Sequence, residues 1–524
     1  MPPWQGAAMQ SSIRLQTSSD PDVAVPWPTI AAAFLIAGVM AAMLALNWHG
    51  FRGGGGDDWQ YLDAARCLRG NLLCLPETHW AARYAIVSPL AATTALFGES
   101  HLAVGLPSLL ATSVVLITLF LSVRRITVLP ATLIACLMLV LTPVFVDRAV
   151  RPNADMAELG WSVLSAGLLL LSRGERGPLL VASGLCAGLA FGARATAAAP
   201  IALIIAGWAF AAWRHRPWRN FVEWGLAAAI PILAEAAFHG VFHGDPLLRW
   251  ALELNHTAIP SAALAAEHRG AFPFFNPALI AAWPVRFGPD IHWTVNGLVS
   301  LFFSPSIALT LVISIGSQLL VRLVRAPVPR WTPLLFAGAF GHFVILVYGL
   351  GIDPTPRMFL PGITLLCVAA GINIAALCAR LPVLTAGAIL APLFLLFLAR
   401  AASVQYAALD LLALDRAATR MIADAQQPLA GGISTLRMLA LNTAAQTLPY
   451  ASPDSPSVLV LAPRGCAVQA QNMASPETIA TVLSGTSLRK SDPPLVAWMR
   501  ERRILLTPQA PTALCIIGRA PRGG

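Results

Sequence analysis

Apolar residues fall along this chain in runs long enough to cross roughly 30 Å of hydrocarbon, at residues 29–48, 102–123, 126–146, 156–172, 179–193, 195–213, 221–238, 301–320, 333–350, 359–377 and 383–398. They predict a polytopic α-helical membrane protein with about eleven transmembrane helices. Two stretches between runs, 49–100 and 239–299, hold aromatic or amphipathic segments too short to span, and these read as interfacial helices lying on the bilayer. Past the last run the pattern changes. Strand-like segments at 457–462 and 513–517, with a helical stretch after Pro476, predict a small C-terminal α/β domain. The division is then an N-terminal tail over 1–27, a transmembrane domain over 28–400 and a soluble domain over 401–524. No repeat of solenoid length and no inverted halves with paired helix breaks are evident, which disfavours a secondary transporter.

Composition agrees: 57% hydrophobic and 11% charged residues leave too little ionic surface for a soluble protein of 524 residues. The net charge of +10 is carried almost wholly by arginine, Lys490 being the only lysine, in short clusters between apolar runs. Such clusters are topology signals and argue against nucleic acid. Arg124 and Arg125, Arg173 and Arg176, Arg214, Arg216 and Arg219, Arg322, Arg325 and Arg330, and Arg380 occupy one set of loops. The opposite set holds Asp57, Asp58, Asp63, Glu77, Asp147, Asp155, Glu158, Asp245, Glu253, Asp290 and Asp353. The positive-inside rule puts the N-terminus and the basic loops in the cytoplasm, and the acidic loops and the C-terminal domain outside. The polar N-terminus lacks the basic start of a secretory signal and no small-residue cleavage site closes the first run, so the first helix reads as a retained anchor. Cys136, Cys186, Cys367 and Cys378 lie in apolar runs and read as small buried hydrophobes. Cys67 with Cys74, and Cys466 with Cys515, could form disulfides in an oxidising compartment.

The first outer loop carries candidate chemistry. Four glycines precede Asp57 and Asp58, and a helix follows with Tyr61, Leu62, Ala65 and Leu68 on one side. One aspartate serves as a helix cap and complements the dipole. A cap does not need two, and a carboxylate at the bilayer surface suits a general base facing a lipid-borne electrophile. A second set, Asp147, Arg148, Arg151, Asp155 and Glu158, crowds a very short outer connection, where ionisable groups are costly unless paired or used. Mutual pairing that fixes the turn is the plain alternative there. Arg194 and Arg357 each sit at the outer boundary of a run. They either snorkel to headgroups or grip a lipid phosphate with bidentate donors. His79, His239, His243 and His256 fall outside without the spacing of an established metal motif and read as solvated loop histidines.

In order along the chain, these features resemble the GT-C glycosyltransferases, in particular the bacterial branch similar to protein O-mannosyltransferases and aminoarabinose transferases. The matching pieces are Asp57-Asp58 with Tyr61 and Ala65; His79-Trp-Ala-Ala-Arg83-Tyr84 leading to Pro89; Arg148 and Asp155-Met156; Gly188 through Arg194, where the family often has Lys; Phe242 through Trp250; and Gly297 through Pro305. The Trp-Trp-Asp motif of oligosaccharyltransferase catalytic subunits is missing, and the Asp-Glu pair of eukaryotic mannosyltransferases is Asp-Asp here. The resemblance implies a multi-pass protein of the bacterial inner membrane. The resemblance further implies that it moves a sugar from a polyprenyl-phosphate donor to an acceptor hydroxyl, on a lipid, glycan or protein, at the periplasmic face. Asp57 or Asp58 would be the base, with Arg194, Arg357, Arg83 and Arg148 on the donor phosphate. Asp155, Tyr84, His79 and Tyr61 would line the substrate site. No cofactor is certain, and a divalent metal ion is the candidate. The rival is a transporter or flippase of a lipid-linked or anionic substrate, which needs ionisable groups deep within helices.

Overall fold

The computed structural model describes residues 27–46, 57–71, 73–76, 78–212, 218–254, 304, 307–349, 356–405, 411–432 and, with short gaps, 435–521. Helices α1 (Trp27–Ala45), α2 (Asp57–Gly70), α3 (Tyr84–Phe97), α4 (His101–Ile126), α5 (Leu129–Val140), α6 (Pro143–Ala149), α7 (Ala154–Ser172) and α8 (Pro178–Ala193) come first. After them come α9 (Ala198–Ala212), α10 (Trp218–His243), α11 (Leu248–Leu254), α12 (Ala308–Leu323), α13 (Thr332–Val344), α14 (Leu360–Cys378), α15 (Val383–Gln405) and α16 (Leu411–Ala423). The protein is a polytopic helical membrane protein. Among the described residues six helices are long and apolar enough to cross a membrane, seven with the bent pair α5–α6. Each of the remaining predicted runs overlaps a shorter apolar helix: α8, the stretch Ala195–Phe210, α12 or Thr332–Val347. α2 and α3 occupy the first outer loop, where interfacial helices are expected. Of the second, α11 is described, while residues 255–299, with His256 and Asp290, lie outside the described residues, as do Asp353 and the glycines before Asp57.

The run at 126–146 is broken where the sequence shows a proline. Pro143 lacks an amide proton and disfavours helical backbone in the residue before it, so α5 ends and α6 departs at 68°. Thr142 Oγ1 meets the freed backbone, donating to Met138 O at 2.7 Å and sharing a 2.8 Å bond with Thr310 Oγ1. The turn that follows is closed by Asn153, whose Oδ1 accepts the Met156 amide at 2.9 Å and caps α7. This break and cap hold Asp147 through Asp155 at one mouth of the bundle.

α14 is the most buried span, packed among α5, α12 and α13 in a core that includes Leu139, Phe145, Leu311, Phe343, Leu360 and Ile363. With lipid tails as apolar as leucine, close backbone approach and interhelical hydrogen bonds do more of the holding than burial alone. α8 against α10 shows it. A Cβ on Gly184 or Gly188 would run into the carbonyl oxygens of Trp224 and Ala228, and the Trp224 indole donates to Ser183 Oγ at 2.9 Å.

The C-terminal sheet has the order β1 (Leu429–Gly431), β2 (Ser457–Ala462), β4 (Ala513–Pro521), β3 (Thr478–Ser487), with β1 parallel to β2 and the other pairs antiparallel. The helix expected after Pro476 is instead β3. Its Thr478-Ile479-Ala480-Thr481-Val482 run is rich in β-branched residues and pairs with β4, while the helix of this region, Cys466–Met473, comes before the proline. Cys466 and Cys515 form a disulfide. Leu414 and Ala418 of α16 pack on Leu429, Leu459 and Leu514 of the sheet. Asp415 of α16 lies 3.5 Å from His101 at the start of α4, and Leu441, between β1 and β2, packs against the cluster of Tyr61, Leu62 and Ala65, so the C-terminal segment touches both α4 and α2.

Replacing Gly188 with leucine is expected to destabilise the protein by about 1–3 kcal/mol through overpacking. Gly207, beside which an added Cβ meets nothing, is the control. Thermal unfolding of the detergent-purified variants reads the difference; equal midpoints for the two would contradict the close α8–α10 contact.

Candidate active site

α2 begins with two carboxylates, and its other end and one face are fixed. Tyr61, Leu62 and Ala65 are fully buried against Ile86, Val87 and Leu90 of α3. The Cys67–Cys74 disulfide and the pairing of Arg66 and Arg69 with Glu99 anchor the C-terminal end. Burial alone would raise the Glu99 carboxyl, but the two guanidiniums outweigh it and hold the group below its usual range. These anchors set the position of the first turn, with Asp57 and Asp58.

Each carboxylate faces a different arginine set. Asp57 takes Arg357 Nη1 at 2.7 Å, and the same guanidinium reaches Asp155 Oδ2 at 3.9 Å through Nε. The other Asp155 oxygen accepts Arg194 Nη1. One chain of charge, Asp57–Arg357–Asp155–Arg194, thus joins α2, the turn Pro356–Phe359 before α14, the start of α7 and the extended residue between α8 and α9. A turn along α7, Glu158 accepts the Thr196 hydroxyl at 2.9 Å. Asp58, buried, lies 3.8 Å from Arg151, which also binds Asp147 at 2.7 Å, and Arg148 closes on Asp147 at 3.0 Å. Burial pushes the Asp58 carboxyl up, with Arg151 and then Arg148 opposing.

Arg83 occupies a third position. Its guanidinium binds Glu253 of α11 at 2.8 and 3.1 Å and donates to Tyr61 Oη at 2.7 Å. Burial pushes the Tyr61 phenol up to about 12, with Arg83 pulling the other way. His79 is buried with its ring 3.7 Å from that of Trp80. Tyr84 turns instead to α10, its ring 5.4 Å from those of Phe238 and His239. The structure therefore gathers Asp57, Arg357, Asp155 and Arg194 directly, sets Asp58 with Arg148 beside them through Arg151 and Asp147, joins Arg83 to Tyr61, and places Tyr84 against α10. Arg194 and Arg357 do not snorkel; both are held by carboxylates. Among the described residues no group of three or more His, Cys, Asp or Glu side chains is arranged to hold a metal ion.

Sequence reasoning placed His239 and His243 in a loop. They lie on α10, His239 fully buried, with a 2.9 Å contact between their Nδ1 atoms. It also passed over Glu235, which the surrounding apolar run hides; this carboxylate binds Arg249. The available signal was the four-residue spacing of 235, 239 and 243, which puts the three on one face of a helix.

A family model described as "Dolichyl-phosphate-mannose-protein mannosyltransferase" matches residues 89–237, from α3 to α10. ArnT from Cupriavidus metallidurans, solved bound to undecaprenyl phosphate, is similar with a TM-score of 0.47 and 13% identity, over 93% of this chain and 97% of that one. The oligosaccharyltransferase of Archaeoglobus fulgidus in its apo form is similar with a TM-score of 0.46 and 14% identity, over 82% of this chain and 61% of that one. The chain thus spans less than two thirds of the archaeal protein. No curated protein matches the chain.

A carboxyl whose folded pKa is raised favours the folded state below its ordinary value, 3.8 for Asp58, and loses that contribution as pH rises through the folded value. Relative to Asp58→Asn, the wild type is expected to lose thermal stability as pH increases from about 4 to about 8. A difference in melting temperature that stays flat or grows in favour of the wild type would show that burial does not govern Asp58.

Proposed function

We propose that the protein is a membrane glycosyltransferase that moves a sugar from a polyprenyl-phosphate carrier to an acceptor hydroxyl. The observation that carries this reading is the Asp57–Arg357–Asp155–Arg194 chain at the outer mouth of the bundle. The family match over residues 89–237 supports the reaction class. Transfer from such a carrier breaks the anomeric carbon–oxygen bond, forms a bond to the acceptor oxygen, and releases the carrier phosphate with the electron pair. That leaving group needs no general acid. It needs its developing charge met by preorganised donors in a site shielded from water, and Arg194 and Arg357 are already gathered there. The acceptor proton needs a base.

Asp57 is the better base of the two aspartates by position. It shares Arg357 with Asp155 and Arg194, whereas Asp58 faces Arg151 and Asp147. A phosphate that takes donors from Arg357 competes with Asp57 for them, so arrival of the carrier loosens the carboxylate and makes it a stronger proton acceptor. Asp155 keeps both arginines in place while this happens. Arg83 and Arg148 stand behind them, and Tyr61 and His79 border the same space.

The acidic face is proposed as the extracytoplasmic one. Both disulfides, Cys67–Cys74 and Cys466–Cys515, lie on that side, which an oxidising compartment maintains. Arg124, Arg173, Arg322 and Arg380 are at the opposite helix ends.

Asp57→Asn is expected to lower transfer from polyprenyl-phosphate sugars by about 10²–10⁴-fold in membranes. Arg194→Ala and Arg357→Ala are expected to cost on the order of 10²-fold. Full transfer by Asp57→Asn would remove it as the base, and movement of lipid-linked sugar without transfer would favour a carrier. For sidedness, alkaline phosphatase fused after Gly524 is expected to be active and the same fusion after Arg125 inactive; the reverse pattern would invert the topology.

A further inference from the structure

Beyond the arginine chain, a second polar cluster lies within the apolar wall between α3, α10 and α11. Glu235, His239 and His243 follow one another at four-residue spacing on α10, with Glu235 about 12 Å from the end of that helix. Gly244, with φ of 75°, turns the chain back so that Arg249 of α11 reaches Glu235 Oε2 and, at 3.0 Å, the carbonyl of Phe191. Tyr84 closes the cluster from α3. Arg249 supplies the link to the site described above, for Phe191 lies three residues before Arg194 on the same chain segment.

The cluster is only half satisfied from within the protein. Among the described residues, Glu235 Oε1, Tyr84 Oη, Nε2 of both His239 and His243, and Arg249 Nε are buried with no hydrogen-bond partner, and His239 and Arg249 are themselves almost wholly buried. Polar atoms in an apolar wall are held there at a cost unless something else pairs with them. The set mixes an anionic acceptor, a cationic donor, a phenol and two imidazoles, beside the aromatic rings of Phe238 and, through Arg249, Trp250. Hydroxyl groups around a pyranose or furanose ring both donate and accept, and their ring faces pack on aromatic side chains. A phosphate could take donors from Arg249, Tyr84 and an imidazole, but Glu235, which already holds Arg249, would repel it.

We infer that Tyr84, Glu235, His239, His243 and Arg249 form a glycosyl subsite that reads the hydroxyl pattern of the transferred sugar. This rests on the glycosyltransferase reading, and it separates the two tasks: arginines at Asp155 take the phosphate, and the α10 cluster selects the ring.

The test uses the full-length protein in lipid nanodiscs and native mass spectrometry. The probes are undecaprenyl phosphate, a panel of undecaprenyl-phosphate-linked neutral and amino sugars, and methyl glycosides. The wild type is expected to bind at least one sugar-linked carrier about tenfold or more tighter than undecaprenyl phosphate. Glu235→Gln and Tyr84→Phe should each erase most of that preference while binding undecaprenyl phosphate as before, which also reports an intact bundle. An unchanged preference in both variants, or none in the wild type, overturns the subsite and leaves the lipid-phosphate site standing. Failure of the wild type to bind undecaprenyl phosphate at all overturns both. Glu235-dependent binding of a methyl glycoside with no Glu235 effect on the carriers would assign the ring to the acceptor and overturn the donor assignment.

Discussion

A carboxylate buried at the end of a membrane helix must be paired, and Asp155 is the group on which that requirement falls hardest. Leaving it alone would cost several kcal/mol, so the fold has to bring positive charge to it. Arg194 comes from the break between α8 and α9 and Arg357 from the turn before α14, segments separated by well over a hundred residues of chain. Meeting at Asp155 fixes where those helices can end. The same meeting presents two guanidiniums to whatever approaches from the α2 side, where Asp57 is the only other group on Arg357 among the contacts of the described residues.

The pairing depends in turn on irregular backbone at specific points. Pro143 breaks one span, Asn153 caps the next, and Arg194 is extended between α8 and a short turn. Each interruption lies where backbone groups can be met by side chains, as Thr142 and Asn153 do, because hydrocarbon offers no alternative partner. Regular helices alone would carry ionisable groups past the mouth of the bundle. The breaks stop them there, and close α8–α10 packing keeps the wall beside them rigid.

Hydropathy made the spans legible because a bilayer imposes length and apolarity on every one of them. Charge alternation made the grouping of acidic loops legible for a related reason, since most carboxylates fall in the loops opposite the ones whose charge is almost wholly arginine. Asp57, Asp155, Arg194 and Arg357 could be named because each ionisable group stood out against an apolar background. Their connectivity could not be read, since which arginine meets which aspartate depends on helix packing that no local pattern records. Arg151, assigned to a turn, also reaches Asp58. Glu235 was hidden because averaging over an apolar run dilutes a single charge. The β3 error had another source: the proline before Thr478 suggested a helix start, while strand pairing with β4, a contact made across more than thirty residues, decided the outcome.

The position of α2 shows how these levels join. Its apolar face is pinned on α3, its far end by a disulfide and Glu99, and its flank by Leu441 of the C-terminal segment, so the first turn cannot drift from the bundle mouth. A base that works on an acceptor must be held to within a fraction of an ångström of the reacting centre. The C-terminal segment carries no charged cluster like that of the mouth among its described contacts, and Leu441 is where it packs on α2. Leu441 braces the element that carries Asp57, the base of the proposed mechanism, while Asp415 holds the same C-terminal segment to His101 of α4.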